Sequence, residues 1–280
     1  MKKVGKERIN WPVTILLIAG LITVVFPLYM TVVIALKKPS EMTNDVAGIL
    51  SLPKHFSLSN FTEAMKVTDF WNSLGNSLLI TVVTVVLAML IHSLLGYAIA
   101  RNKAHSKFYK FIYFYVVSGM FVPFAILMMP VVKQTAQMGL ANRAGVIILY
   151  LVFYMPMNVL LYSGYLTNIP MALEEAAKVD GAGTVTRFFR ITLPMLKPTI
   201  ILAVFLSITS SLQCFDLIYT MTGGGPNNAS TTLVIYAYSL CFAGSSSAGY
   251  AMAVSNILFV VILVIAMLQR GMMKREASEI

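Results

Sequence analysis

The chain has 280 residues, of which 58% are hydrophobic and only 11% charged, and its mean hydropathy is +0.79. Soluble domains carry about a quarter charged residues, so the composition excludes an ordinary soluble globule and predicts an all-α integral membrane protein. The formal net charge of +10 does not indicate nucleic acid, because the basic residues fall between apolar runs instead of gathering on one segment.

Crossing the hydrocarbon core takes about 20 mostly apolar residues, and backbone groups in lipid must be paired within helices. Six stretches qualify: 11–36, 74–100, 111–132, 144–166, 199–220 and 250–268. The first follows the basic flank MKKVGKERIN. It is too long for the apolar core of a signal peptide and no A-x-A cleavage site follows, so it is expected to stay as a helix. Pro27, Pro123, Pro130 and Pro156 fall inside these runs, where neighbouring helices can re-satisfy the freed carbonyls.

Two long outer segments, 37–72 and 221–249, separate the spans on one side. The second opens with the turn-rich TGGGPNNAS and continues as TTLVIYAYSLCFAG, too short to span and expected to lie at the membrane surface or to re-enter. Asn60 and Asn228 head glycosylation sequons that are read as incidental. With the amino terminus inside, the cytoplasmic segments hold Lys2, Lys3, Lys6, Arg8, Arg101, Lys103, Lys107, Lys110, Lys178, Arg187, Arg190, Lys197, Arg270, Lys274 and Arg275. Only Lys37, Lys38, Lys54, Lys66, Lys133 and Arg143 fall outside, as the positive-inside rule requires. Both termini and the segment 169–198 are therefore expected in the cytoplasm.

No chemistry of bond-making is evident. Cys214 and Cys241 belong to no CxxC pair, and His55, His92 and His105 are scattered, so no catalytic set and no metal site is expected. No GxxxxGK[ST] occurs, and GGGPNN lacks the lysine and following helix of a phosphate cradle.

The segment from Glu174 to Pro198 is longer and more charged than a connector needs. Leu173–Val179 is rich in helix formers, and Glu174 stands four residues before Lys178 in the favourable order. Gly181 and Gly183 are expected to stop that helix in left-handed geometry, and Thr184 to cap a second short helix. An elbow follows, either an amphipathic connector with Phe188, Phe189, Ile191 and Leu193 on the membrane, or a docking element with Ala176 and Ala177 exposed.

The residue pattern separates these. EAAKVDGAGTVTRFFRITLP fits EAA-x3-G-x9-I-x-L-P at Glu175, Ala176, Ala177, Gly181, Ile191, Leu193 and Pro194, and this resembles the EAA loop of permease subunits of binding-protein-dependent ABC importers. FPLYMTVVIALKKPSEM, LPKHFSLSNFTEAM, FWNSLGNSLLIT and IPMALEEAAKVDGAG look like MalG-type carbohydrate permeases. TGGGPNNASTTLVIYAYSL and GYAMAVSNILF are similar to sugar permeases more broadly, MalF-type partners included, so which half of the heterodimer this is stays open.

The resemblance implies a single permease domain over 1–280 with the six-helix type I ABC importer fold, forming half of the passage for a carbohydrate such as an oligosaccharide. It implies a coupling helix seated in a cleft of a separate ATPase, with Glu175 a polar contact, Ala176 and Ala177 the close-packed face and Gly181 the bend. Glu174, Asp180, Ile191, Leu193 and Pro194 complete that segment. The implied partners are a second homologous permease, a cytoplasmic ATPase dimer, an extracytoplasmic sugar-binding protein, the sugar and membrane lipid. ATP and Mg would be used by the partner subunits, with no cofactor bound by this chain, in a bacterial or archaeal inner membrane. The other reading is a self-sufficient secondary transporter or channel, which calls for inverted repeats or ionisable residues at mid-membrane. Neither is evident.

A sugar path wants hydroxyl, amide and aromatic groups. Asn158 and Ser163 in the fourth span, Ser207, Ser210, Gln213 and Asp216 in the fifth, and Ser255 and Asn256 in the sixth are the candidates, although serines also serve helix packing. Asp216 is the only carboxylate within an expected span, which marks it for function.

Overall fold

The structure, a computed structural model, describes residues 10–38, 40–41, 47–67, 69–242 and 248–279. The basic flank Lys2–Arg8 lies outside the described residues. The helices, in chain order, are α1 (Trp11–Ala35), α2 (Ser59–Lys66), α3 (Phe70–Asn102), α4 (Lys107–Ser118), α5 (Phe124–Gln137) and α6 (Arg143–Thr167). Then come α7 (Ala172–Val179), α8 (Thr184–Met195), α9 (Lys197–Gln213), α10 (Asp216–Met221), α11 (Leu233–Phe242) and α12 (Ala248–Glu279). No strand occurs among the described residues.

α1, α3, α6 and α12 are each long and apolar enough to cross a membrane unbroken. Two bent pairs bring the number to six when each counts as one span. The expected straight span 111–132 is not straight. α4 with its final turn through Phe121 meets α5 at 105°, because Pro123 has no N–H and forces Val122 into extended geometry (φ −92°, ψ 111°). Pro27, Pro130 and Pro156 sit inside their helices as expected. The expected span 199–220 is likewise divided. α9 ends at Gln213, Cys214 turns extended (ψ 114°), and α10 restarts at Asp216. At the other end α9 meets α8 at 76°. α11, with 10 residues, is about 15 Å long and too short to cross, as expected from its sequence.

The described residues fall into two compact units, one from those up to Val67 and of Ala237–Ile257, the other from those of Thr68–Tyr236 and Leu258–Ile280. In the first, Asn60 Nδ2 donates to the carbonyls of Ala35 (2.9 Å) and Lys37 (2.7 Å) at the end of α1, satisfying acceptors that a helix terminus leaves open. Asn60 is wholly buried, a packing residue in the folded chain. Gly249 packs so closely on it that a Cβ would lie 2.7 Å from Nδ2.

The second unit is organised by the inward stripe of α3. Ser73, Ser77, Thr81, Thr84, Ala88, His92, Gly96 and Ile99 are all buried, a three-to-four-residue spacing filled by small and polar side chains. Within lipid such stripes let helices approach closely. Gly96 meets α6, where a Cβ would stand 2.7 Å from Tyr162 Cβ, and Thr81 Oγ1 lies 2.7 Å from Ser211 Oγ on α9. Two apolar clusters bracket this polar layer, one around Ile80, Val146, Tyr150 and Ile218, the other around Tyr162, Leu166, Leu196 and Ala203.

The turn-rich segment is ordered by α3 and α6. Asn76 Nδ2 donates to the carbonyls of Asn228 (2.8 Å) and Thr231 (3.0 Å), while Arg143 donates to Asn76 Oδ1 and to the Ala229 carbonyl, both at 2.6 Å. Asn227 and Asn228 take positive φ, a geometry asparagine tolerates. Arg143, counted in the sequence only as an outer charge, is this turn's anchor.

Candidate functional site

The elbow starts with α7, whose first turn carries Glu174 and Glu175 and whose last carries Lys178, each favoured by the helix dipole at its own end. Gly181 ends it at φ +85°. Its N–H reaches the Lys178 carbonyl (3.1 Å) and the Ala182 N–H reaches Ala177 (2.9 Å), the paired bonds of a Schellman stop. Gly183 does not share this role. It sits at φ −63°, ψ 163° as the residue before α8, and Thr184, expected as the cap, is already helical. α8 opens into a π-turn over Phe188–Thr192 and runs to Met195.

The elbow's two faces differ. Glu175, Ala176, Asp180, Gly181 and Pro194 are exposed, and Ala177, Ile191 and Leu193 half-buried. Val179 and Val185 stand 87% and 71% exposed at the tip, an apolar pair that the sequence pattern does not single out. Glu174, expected among the outward contacts, is turned inward and 3% exposed. Arg101 Nη2 lies 2.7 Å from its Oε1 and Nε donates to the same oxygen at 2.9 Å. Tyr97 donates to Oε2 at 2.7 Å and Thr192 to Oε1 at 3.2 Å. Buried and held by these partners, the carboxylate is not presented to another chain.

A second site lies in the polar layer. Asn158 Nδ2 is 3.0 Å from His92 Nδ1 and donates to Ser207 Oγ at 3.3 Å, which directs the amide oxygen away from both. Asn158, Ser207 and Ser210 line one open pocket of about 200 Å³ with Phe153, Tyr154, Met157 and Leu206. Ser163, also considered, instead accepts from Lys103 Nζ (3.0 Å). Gln213 and Asp216 are exposed at the α9–α10 break and are not among the pocket's lining residues. Asn256 belongs to the other unit, where its amide is spent on the carbonyls of Thr31 (3.0 Å) and Met252 (2.8 Å). Ser255 donates to the Ala251 carbonyl. The pocket thus gathers three of the expected path residues, and His92, read as merely structural, orients one of them. Among the described residues no cluster of His, Cys, Asp and Glu could hold a metal ion.

The family profile of the binding-protein-dependent transport system inner membrane component matches residues 92–274, from His92 through the elbow and pocket into α12. The chain belongs to that family. This permease is 35% identical over 202 residues, 71% of its length and 70% of the other's, to the multiple sugar-binding transport system permease protein MsmG of Streptococcus mutans. It is 33% identical over 174 residues, 61% of each chain, to the melibiose/raffinose/stachyose import permease protein MelC of Bacillus subtilis. A crystal structure of a bacterial ABC transporter involved in the import of the acidic polysaccharide alginate superposes with a TM-score of 0.74 at 17% identity, covering 92% of the permease and 94% of that chain. The permease therefore has the all-helical type I ABC importer fold.

Proposed function

We propose that this permease forms half of the membrane passage of an ATP-driven importer for a carbohydrate, an oligosaccharide in particular. It couples through its elbow to a separate cytoplasmic ATPase pair that uses ATP and Mg. The observation that carries the reading is the elbow itself. The EAA spacing coincides with a Schellman stop at Gly181 that leaves Glu175, Ala176 and the apolar tip Val179 and Val185 exposed in a chain of this family. Small and apolar groups at a helix tip suit close seating in a cleft of another protein.

A second permease as partner is supported by the likeness to both MsmG and MsmF, two permease proteins of the multiple sugar-binding transport system of S. mutans. A solved relative of the fold is a bacterial alginate ABC transporter in complex with an alginate pentasaccharide-bound periplasmic protein, which supports an external binding protein. The pocket's chemistry agrees with a sugar, since its lining combines the aromatic Phe153 and Tyr154 with the amide of Asn158 and the hydroxyls of Ser207 and Ser210.

The test is Glu175→Lys, followed by sugar uptake together with membrane abundance and co-purification of the ATPase. Loss of uptake and of the ATPase at normal abundance is the expected result. Normal transport by the variant, or ion-driven uptake by the wild-type chain alone, overturns the reading.

A further inference from the structure

Glu174 and Glu175 are neighbours in α7 that face opposite ways, one 3% exposed and the other open to solvent. The inward one is joined to more than its ion pair. Arg101 stands in the last turn of α3, and besides holding Glu174 it donates from Nη1 to the carbonyls of Leu166 (3.1 Å) and Ile169 (3.2 Å) at the end of α6. Tyr97, one turn earlier on α3, holds the other carboxylate oxygen and packs edge-on against Phe188 of the π-turn at 5.3 Å. Thr192, at the end of that turn, closes the set.

One carboxylate and one guanidinium therefore tie together α3, α6, α7 and α8. The planar fork of an arginine fixes direction as well as distance, which apolar contacts alone do not. An exposed connector has no need of such a buried pair to stay folded, since burying charge is costly unless every partner is supplied.

We infer that Glu174 and Arg101 are positioning residues that lock the elbow onto the ends of α3 and α6. A push delivered at the Glu175 face then turns those helices as a rigid body instead of tilting the elbow alone. The inference rests on the proposed docking of the ATPase at the elbow, and adds that the two adjacent glutamates divide the work, one gripping the motor and one gripping the helices.

The experiment uses the full importer, with this chain, its paired permease, the ATPase and the binding protein in proteoliposomes. It measures sugar moved per ATP hydrolysed. Glu174→Gln removes the charge but keeps the shape, and the ratio is expected to fall by about tenfold while the ATPase stays bound and active. Arg101→Lys keeps the charge but cannot reach carboxylate and carbonyls together, and should fall between that variant and wild type. Tyr97→Phe deletes one hydrogen bond and should cost about twofold. A purely structural role would lower assembly or melting temperature and leave the ratio of the surviving complexes unchanged. An unchanged ratio in Glu174→Gln overturns the inference. Should that variant fail to assemble, unchanged ratios in both Arg101→Lys and Tyr97→Phe overturn it. Failure of the underlying reading shows separately, as absence of ATP-dependent uptake with the wild-type chain.

Discussion

Gly96 on α3 and Gly164 on α6 differ in what a methyl group would meet. At Gly96 a Cβ would lie 2.7 Å from Tyr162 Cβ, whereas at Gly164 nothing stands within 4 Å. Neither takes a positive φ. Gly96→Ala is therefore expected to force α3 and α6 apart at a cost of about 1–3 kcal/mol, as overpacking does, and to lower the melting temperature of the purified importer. Gly164→Ala should match wild type or gain about 0.5 kcal/mol from a stiffer unfolded chain. A Gly96→Ala importer melting at the wild-type temperature would contradict the close helix contact. The same scale governs Glu174. Removing one member of a buried ion pair costs about 3–5 kcal/mol because the other charge is left uncompensated, while the exposed Glu175 has no such debt to its own fold. Nothing in the local sequence EEAA distinguishes the two glutamates. The difference comes from Arg101, 73 positions earlier, and a partner that distant is legible only once α3 and α7 are placed together.

Among the elements, the elbow is governed by its glycines. Gly181 at φ +85° occupies a region that costs a residue with a side chain about 1–2 kcal/mol, and a β-branched one more. Gly183 at φ −63° does not. Gly181→Val should fray the end of α7, seen as faster tryptic cleavage after Lys178 and weaker retention of the ATPase, with the melting of the helices unchanged. Gly183→Ala should behave as wild type, and equal cleavage rates for the two variants would count against the Schellman stop. The stop at Gly181 was legible in the sequence because the glycine follows a run of helix formers at the required spacing. The long apolar runs likewise gave α1, α3, α6 and α12 to within a few residues, apart from the longer tail of α12. The breaks were not legible in the same way. Four prolines share one apolar context, yet only Pro123 ends a helix, since whether freed carbonyls find other partners depends on neighbours in space. The break at Cys214 and Phe215 carries neither proline nor glycine. The pocket was legible in part, because polar side chains in a span can serve packing or a cavity. Asn158, Ser207 and Ser210 serve the cavity, and Asn256 serves packing.

For the whole molecule, α3 fixes the scale. The turn anchored by Asn76 and the hub anchored by Arg101 lie 25 residues apart on one helix, about 38 Å at 1.5 Å per residue, against a hydrocarbon core of about 30 Å. The pocket of Asn158 and Ser207 joins α3 through His92, between those ends. From the distribution of Lys and Arg we propose that the hub end faces the cytoplasm, where an ATPase has its nucleotide, and the GGGPNN end the outside. That orientation is testable after Cys214 and Cys241 are replaced by alanine. Asn227→Cys and Val185→Cys are then introduced singly at exposed positions of the two ends, and intact spheroplasts are treated with a membrane-impermeant maleimide. The Asn227→Cys chain should label at once, and the Val185→Cys chain only after lysis. The reverse pattern would put the elbow outside the cell, away from ATP, and neither the docking surface nor the Glu174–Arg101 joint would then have a motor to answer to.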